Sequence, residues 1–130
     1  MNLDDRLSAW SPTVLSALRI VASLLFLQHG LVKQFGFPMP GPANFQIVSL
    51  IGLAALIEVV GSVLLTLGLF TRMVAIIMSG EMAVAYFMGH APSSFYPIVN
   101  RGEAAILFCF VFLTIATAGG GRWSLDAVRR

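Results

Sequence analysis

Four apolar runs take up most of this chain, and each is about long enough to cross a bilayer, which needs roughly 20 residues. They predict helices over about 12–33, 45–70, 72–90 and 101–118, in up-down-up-down order. Only 11% of the 130 residues are charged and 58% are apolar. Soluble domains carry about 25% charged residues, so the chain has too little polar surface to stay dissolved. The expected fold class is an all-α membrane protein, a four-transmembrane-helix bundle forming one domain over residues 1–130.

Local signals set the ends of the runs. Ser11 reads as an N-cap with Pro12 in the first helical position. Pro38-Met39-Pro40-Gly41-Pro42 is a turn before the second run, Ala91-Pro92-Ser93-Ser94 ends the third, and Gly119-Gly120-Gly121 ends the fourth. Ser124 can cap a short amphipathic tail over 122–130, whose Arg129 and Arg130 favour anionic headgroups. Arg6, Arg72, Arg122, Arg129 and Arg130 fall on one side of such a bundle, Lys33 and Arg101 on the other. The positive-inside rule then puts both termini in the cytoplasm of a plasma (inner) membrane protein. Trp10 and Trp123 belong to the inner aromatic belt, Phe95 and Tyr96 to the outer one. The N-terminus does not read as a signal peptide, since Asp4 and Asp5 flank Arg6 and the first run is too long. The scattered basic residues form no nucleic-acid stripe. A single cysteine, Cys109, excludes an internal disulfide, and its apolar setting marks it as inert.

Charges inside the runs are the functional clue. Arg19, Glu58, Glu81 and Glu103 each occupy a different run, and a charge at bilayer centre costs at least ~2.5–3.5 kcal/mol. On a helix, Arg19, Ala22, Phe26, His29, Gly30 and Lys33 share one stripe, and Glu58 shares a face with the small residues Ala54, Ala55, Gly61 and Ser62. Counting depth along the helices brings Arg19, Glu81 and Glu58 within reach of one another. Such a set carries a surplus negative charge and tends to hold a shared proton, the pattern of a relay or a polar pocket. His29, Lys33, His90, Arg101 and Glu103 gather nearer the outer surface, as the mouth of a ligand site.

Each group also has a plain structural reading. Arg19 and Glu81 can be an ion pair that fixes helix register. Glu103, three residues after Asn100, can complete a capping box. His29 and His90 do not read as haem ligands, because His90 lies at its helix terminus on the side opposite Glu81. No metal site is expected. Met78, Met82, Met88, Phe108 and Phe112 read as packing and lipid contact.

These residues resemble a known family. Arg19…Gln28-His29-Gly30…Lys33, Ile57-Glu58-Val59-Val60-Gly61, Leu67-Gly68-Leu69-Phe70-Thr71-Arg72, Glu81-Met82…Ala85, Asn100…Glu103 and Gly119-Gly120-Gly121-Arg122-Trp123-Ser124-Leu125-Asp126 are similar in order and spacing to the motifs of DoxX-type membrane proteins. The resemblance implies a four-helix inner-membrane protein associated with quinone-linked oxidoreductases or oxidative-stress systems. It makes Arg19, His29, Lys33, Glu58, Glu81, Asn100 and Glu103 the ligand-binding residues to test, with Glu58, Glu81 and Arg19 as the proton relay.

Three functions compete. The first is a redox-system subunit that binds a quinone or similar lipophile, with no covalent cofactor and with a soluble oxidoreductase as its electron donor. The second is a non-catalytic anchor or scaffold for soluble oxidoreductases. The third is a small transporter, which would require a homo-oligomer and lacks an evident inverted repeat.

Overall fold

The computed structural model describes residues 1–130 and is all-helical, with no strand. Helix α1 spans Leu3–Phe35, α2 Leu50–Leu67 and α3 Thr71–Gly89. A 3₁₀ turn (Ala91–Ser93) and a single-turn α4 (Pro97–Asn100) lead into α5 (Glu103–Ala118), and α6 (Leu125–Val128) closes the chain. Three helical segments are long and apolar enough to cross a membrane: α1, α2, and α3 together with the turn that follows it. Helix α5 is apolar but shorter, at 16 residues.

The helix starts differ from those read off the sequence. Helix α1 begins at Leu3, not Pro12. The Asn2 side chain accepts a hydrogen bond from Asp5 N (2.8 Å) while the Asp5 carboxylate accepts one from Asn2 N (3.3 Å), a complete capping box. The helix runs through Pro12, and its first nine residues are exposed. Helix α2 begins at Leu50, not near Phe45, because Ser49 Oγ takes the Gly52 N–H (3.0 Å). It ends where Gly68 adopts φ 70°, a left-handed geometry that suits glycine and reverses the chain within three residues. The expected Asn100–Glu103 capping box does not form. Helix α5 starts at Glu103 with Gly102 as its N-cap, and Asn100 Oδ1 accepts from Gly102 N (2.8 Å) to shape the preceding turn.

Helix α1 packs chiefly on α2, and α3 on α5. The common core holds Ala22, Phe26, Leu65, Ala75, Met78, Met82, Phe112 and Ile115. Met78, Met82 and Phe112 are thus interior packing residues. Small residues set the close approaches, as expected where lipid removes the hydrophobic drive between helices. A Cβ on Gly61 would lie 2.6 Å from Met78 Sδ, and one on Gly30 would lie 2.7 Å from Val59 Cγ2 and 3.0 Å from Glu58 Cβ. The outward faces are apolar throughout, with Leu24, Leu25, Leu56, Val60, Ile76, Phe87, Leu107 and Phe110 all exposed. Soluble monomers rarely expose patches beyond a few hundred Å², so these faces fit lipid.

Candidate functional site

The Gly30 crossing brings the end of α1 onto the middle of α2. From one turn further on, the Lys33 ammonium reaches back to Glu58 and makes the only ion pair of the structure, Nζ to Oε1 at 2.6 Å. The Glu58 side chain is 1% exposed and that of Lys33 29% exposed. Glu81 approaches from α3, within electrostatic reach of both. Glu58 Oε2 and Glu81 Oε2 are buried with no hydrogen-bond partner. The two carboxyls lie within hydrogen-bonding reach of each other, so one shared proton would pair them, and an unpaired buried polar group costs about 1–3 kcal/mol.

Lys33 and Glu81 line a groove of about 570 Å³ between α2 and α3, and Glu58 lies outside its lining. Its walls are apolar: Leu50, Ile51, Leu53 and Ile57 on one side, Ile77, Val84 and Met88 on the other. Gly80 and Gly89 line it, and a Cβ on either would meet nothing within 4 Å, so the groove is open there. Lys33, Glu81 and His90 are its ionisable lining residues. Several wall residues belong to the exposed faces, so the groove opens sideways, where lipid would be. Lys33 also borders a second hollow of about 360 Å³ with Gln28, His29 and the loop from Pro38 to Pro42.

Arg19 is not in this site, which corrects the expected Arg19–Glu58–Glu81 cluster. Its side chain is fully buried at the opposite end of α2 and donates only to main-chain carbonyls. Nε bonds Leu65 O (2.7 Å), Nη2 bonds Trp123 O (2.7 Å) and more weakly Thr66 O (3.5 Å), and Nη1 bonds Gly120 O. The carbonyls at the end of a helix have no partners within it. A guanidinium with five donors can serve several of them at once, and here it ties α2 to the tail.

The rest of that end is built the same way. Ser16 Oγ donates to Gly120 O (3.1 Å) and accepts from Trp123 N (2.9 Å). The Asp126 carboxylate accepts from Phe70 N (3.0 Å) and Thr71 N (2.8 Å) and so caps α3 from the tail, while Asp126 N donates to Gly68 O (2.9 Å). Ser124 caps α6 by accepting from Ala127 N (3.1 Å). Arg72 Nη1 and Nη2 donate to the last carbonyls of α5, those of Ala116 (3.1 Å), Thr117 and Ala118 (3.4 Å). Partial burial pushes the Asp126 carboxyl up, but hydrogen bonds from Thr71 and Phe70, with Arg129 close by, outweigh it and hold the group below the usual aspartate range.

The other expected site residues are dispersed. His29 is exposed, with its ring against Phe26 (6.0 Å) and Phe108 (6.1 Å). His90 Nδ1 lies 3.0 Å from Asn100 O at the groove's outer end. Buried Asn100 donates to Tyr86 Oη (3.2 Å) and Ser94 O (3.0 Å), a turn-holding role. Glu103 is exposed at the start of α5 and makes no side-chain hydrogen bond. The structure therefore joins Lys33, Glu58 and Glu81, with His90 on the same groove, and leaves Arg19, Asn100 and Glu103 elsewhere. Sequence reasoning placed Lys33 at the mouth and missed its pairing with Glu58. The available signal was Gly30, a small residue on the same stripe one turn before it.

A family model described as DoxX matches residues 14–91. An uncharacterized protein of Haemophilus influenzae is 41% identical over 127 residues, covering 94% of this chain and 95% of that one. An uncharacterized membrane protein of Mycobacterium tuberculosis is 29% identical over 139 residues, covering 92% of this chain and 83% of that one. No solved structure matches the chain.

Proposed function

The chain belongs to the DoxX family, and we propose that it is a multi-pass inner-membrane protein whose lateral groove receives a quinone or a similar lipophile for a redox system. In this reading α5 is the fourth crossing, and the end rich in arginine (Arg72, Arg122, Arg129, Arg130) faces the cytoplasm with both termini. The observation that carries the proposal is the Glu81 carboxylate, one of its oxygens buried and unpartnered, beside Lys33 in the lining of a mostly apolar groove. An apolar channel with a few convergent polar groups suits a ligand with an apolar body and a polar head.

The groove residues fit a quinone. The Lys33 ammonium can donate to a ring carbonyl, and a protonated Glu81 can donate to the same head. Lys33 with two carboxylates has one surplus negative charge, which a single proton on the carboxyl pair balances. That proton would lie beside the ligand head, where general acid–base transfer needs it. A quinone, when bound, supplies paired electron and proton chemistry. Electrons would come from a separate soluble oxidoreductase chain. Lys33 borders both hollows, so it would also link the buried carboxyls to the outer aqueous side.

The test is the quinone retained by the purified protein, extracted and quantified per folded molecule. Wild type should retain it, and Glu81→Gln and Lys33→Met should each lower retention severalfold. Absence of any lipophile from wild type, or equal retention in all three, overturns the reading. One observation favours the anchor alternative. The hydrogen-bonded tail presents exposed Arg122 and Trp123 on a fixed frame, a surface able to recruit a soluble partner. Under that reading Trp123→Ala abolishes recruitment while Glu81→Gln does not.

A further inference from the structure

Far from the groove, a hollow of about 770 Å³ lies between the α2–α3 turn, the glycine run and the tail. Its side-chain charges are unbalanced. Arg72, Arg129 and Arg130 face a single acid, Asp126, and both oxygens of that carboxylate are occupied by main-chain N–H groups. Arg72 retains its Nε hydrogen and part of Nη2 beyond the bonds it gives to α5. The guanidinium of Arg129 lies 5.2 Å over the Phe70 ring, which holds it at the rim.

Further donors line the same space. Gly120 and Gly121 border it, and neither N–H has a partner within the protein. Gly119 and Gly121 have φ 93° and 79°, left-handed values that let the main chain fold round the opening. Thr71 is 1% exposed and lines the hollow, with its hydroxyl beside the Asp126 carboxylate. Several donors and no free side-chain carboxylate call for an anion with several oxygens, and a phosphate has that form. Phe70 and Met73, both exposed, form an apolar border. Such a border suits a phosphate that carries acyl chains better than a free one.

We propose that this hollow binds the phosphate headgroup of an anionic phospholipid, held by Arg72, Arg129 and Arg130. A choline headgroup would place a quaternary ammonium among three guanidinium groups, so phosphatidylglycerol is favoured over phosphatidylcholine. This site is independent of the groove reading.

The experiment measures thermal unfolding of the full-length protein in neutral detergent, with phosphatidylglycerol, phosphatidylcholine or inorganic phosphate added. Phosphatidylglycerol should raise the midpoint by several degrees, and the other two should not. The Arg129→Gln/Arg130→Gln variant leaves the Arg72 bonds in place and should lose most of that rise. An equal rise with phosphatidylcholine overturns the proposal, as does a rise with inorganic phosphate alone. So does a double variant that keeps the full response, measured from its own starting midpoint.

Discussion

Arg19→Gln is the sharpest test of how this protein is built. The guanidinium is fully buried and makes two bonds of 2.7 Å, a third to Gly120 O and a weak fourth. Its removal does not strand every carbonyl equally. Leu65 O keeps Gly68 N (3.0 Å), and Gly120 O keeps Ser16 Oγ (3.1 Å), whereas Trp123 O loses its donor outright. Bonds to charged groups contribute ~1.5–3 kcal/mol each, and a stranded carbonyl costs ~1–3 kcal/mol. Loss of a buried cation's desolvation penalty offsets part of this. The net destabilisation comes to about 3–5 kcal/mol, or roughly 10–15 °C in the unfolding midpoint of a chain this size. Arg19→Lys should fall between, because one ammonium cannot span Leu65 O, Gly120 O and Trp123 O together. The assay is a thermal melt followed by size-exclusion chromatography, with retained quinone measured on the folded fraction. An Arg19→Gln protein with wild-type stability and a specific loss of bound quinone would falsify the separation of Arg19 from the site.

Three further expectations follow from the geometry. Gly30→Ala places a methyl group 2.7 Å from Val59 Cγ2 and 3.0 Å from Val59 N, so overpacking should destabilise by about 1–3 kcal/mol and loosen the Lys33–Glu58 pair; unchanged stability would rule out this crossing. Glu58→Gln should be more destabilising than Lys33→Met/Glu58→Met, because breaking a buried pair costs ~3–5 kcal/mol while replacing both partners can be neutral; a double-mutant cycle with no coupling energy contradicts the pairing. Asp126→Ala should remove the α3 cap at a cost of about 0.5–2 kcal/mol near neutral pH. The folded Asp126 carboxyl lies below its unfolded value, so its contribution is present above about 3.9 and disappears as pH falls through the lower folded value. Melting curves of wild type and Asp126→Ala should therefore converge in strong acid, and a gap that persists there refutes the cap.

Membrane character and helical faces were legible because they depend on side-chain order alone. Apolar length gave the runs, and the Glu58 face with Ala55, Gly61 and Ser62 lies buried as its periodicity implies. The partner of Arg19 was not legible, for a physical reason. Its acceptors are carbonyls freed at the end of α2 and in the glycine run, and main-chain groups look alike at every position of a sequence. Depth along the helices therefore points only to carboxylates as its partners. Lys33 was misplaced because its four-carbon stem was counted at its Cα, near the end of α1, whereas its charge lies beside Glu58. The Ser-Leu-Asp tail read as a surface segment because nothing local reveals that Asp126 caps a helix 55 residues earlier.

The bond between Arg19 and Gly120 spans 101 residues. A ribosome adds about 5–20 residues each second, so the first helix leaves it roughly 5–20 s before the glycines exist. The α2 carbonyls are made about halfway through that interval, since Leu65 lies 46 residues after Arg19, but the tail comes only at its close. Until then part of the guanidinium's hydrogen-bonding capacity is unmet, a cost that favours a position near the channel or the lipid surface. Removal of residues 119–130 would take away two of the carbonyls that hold Arg19, those of Gly120 and Trp123, and should weaken the seat of the first helix. The glycine run and the segment after it thus help to fix where the first helix comes to rest.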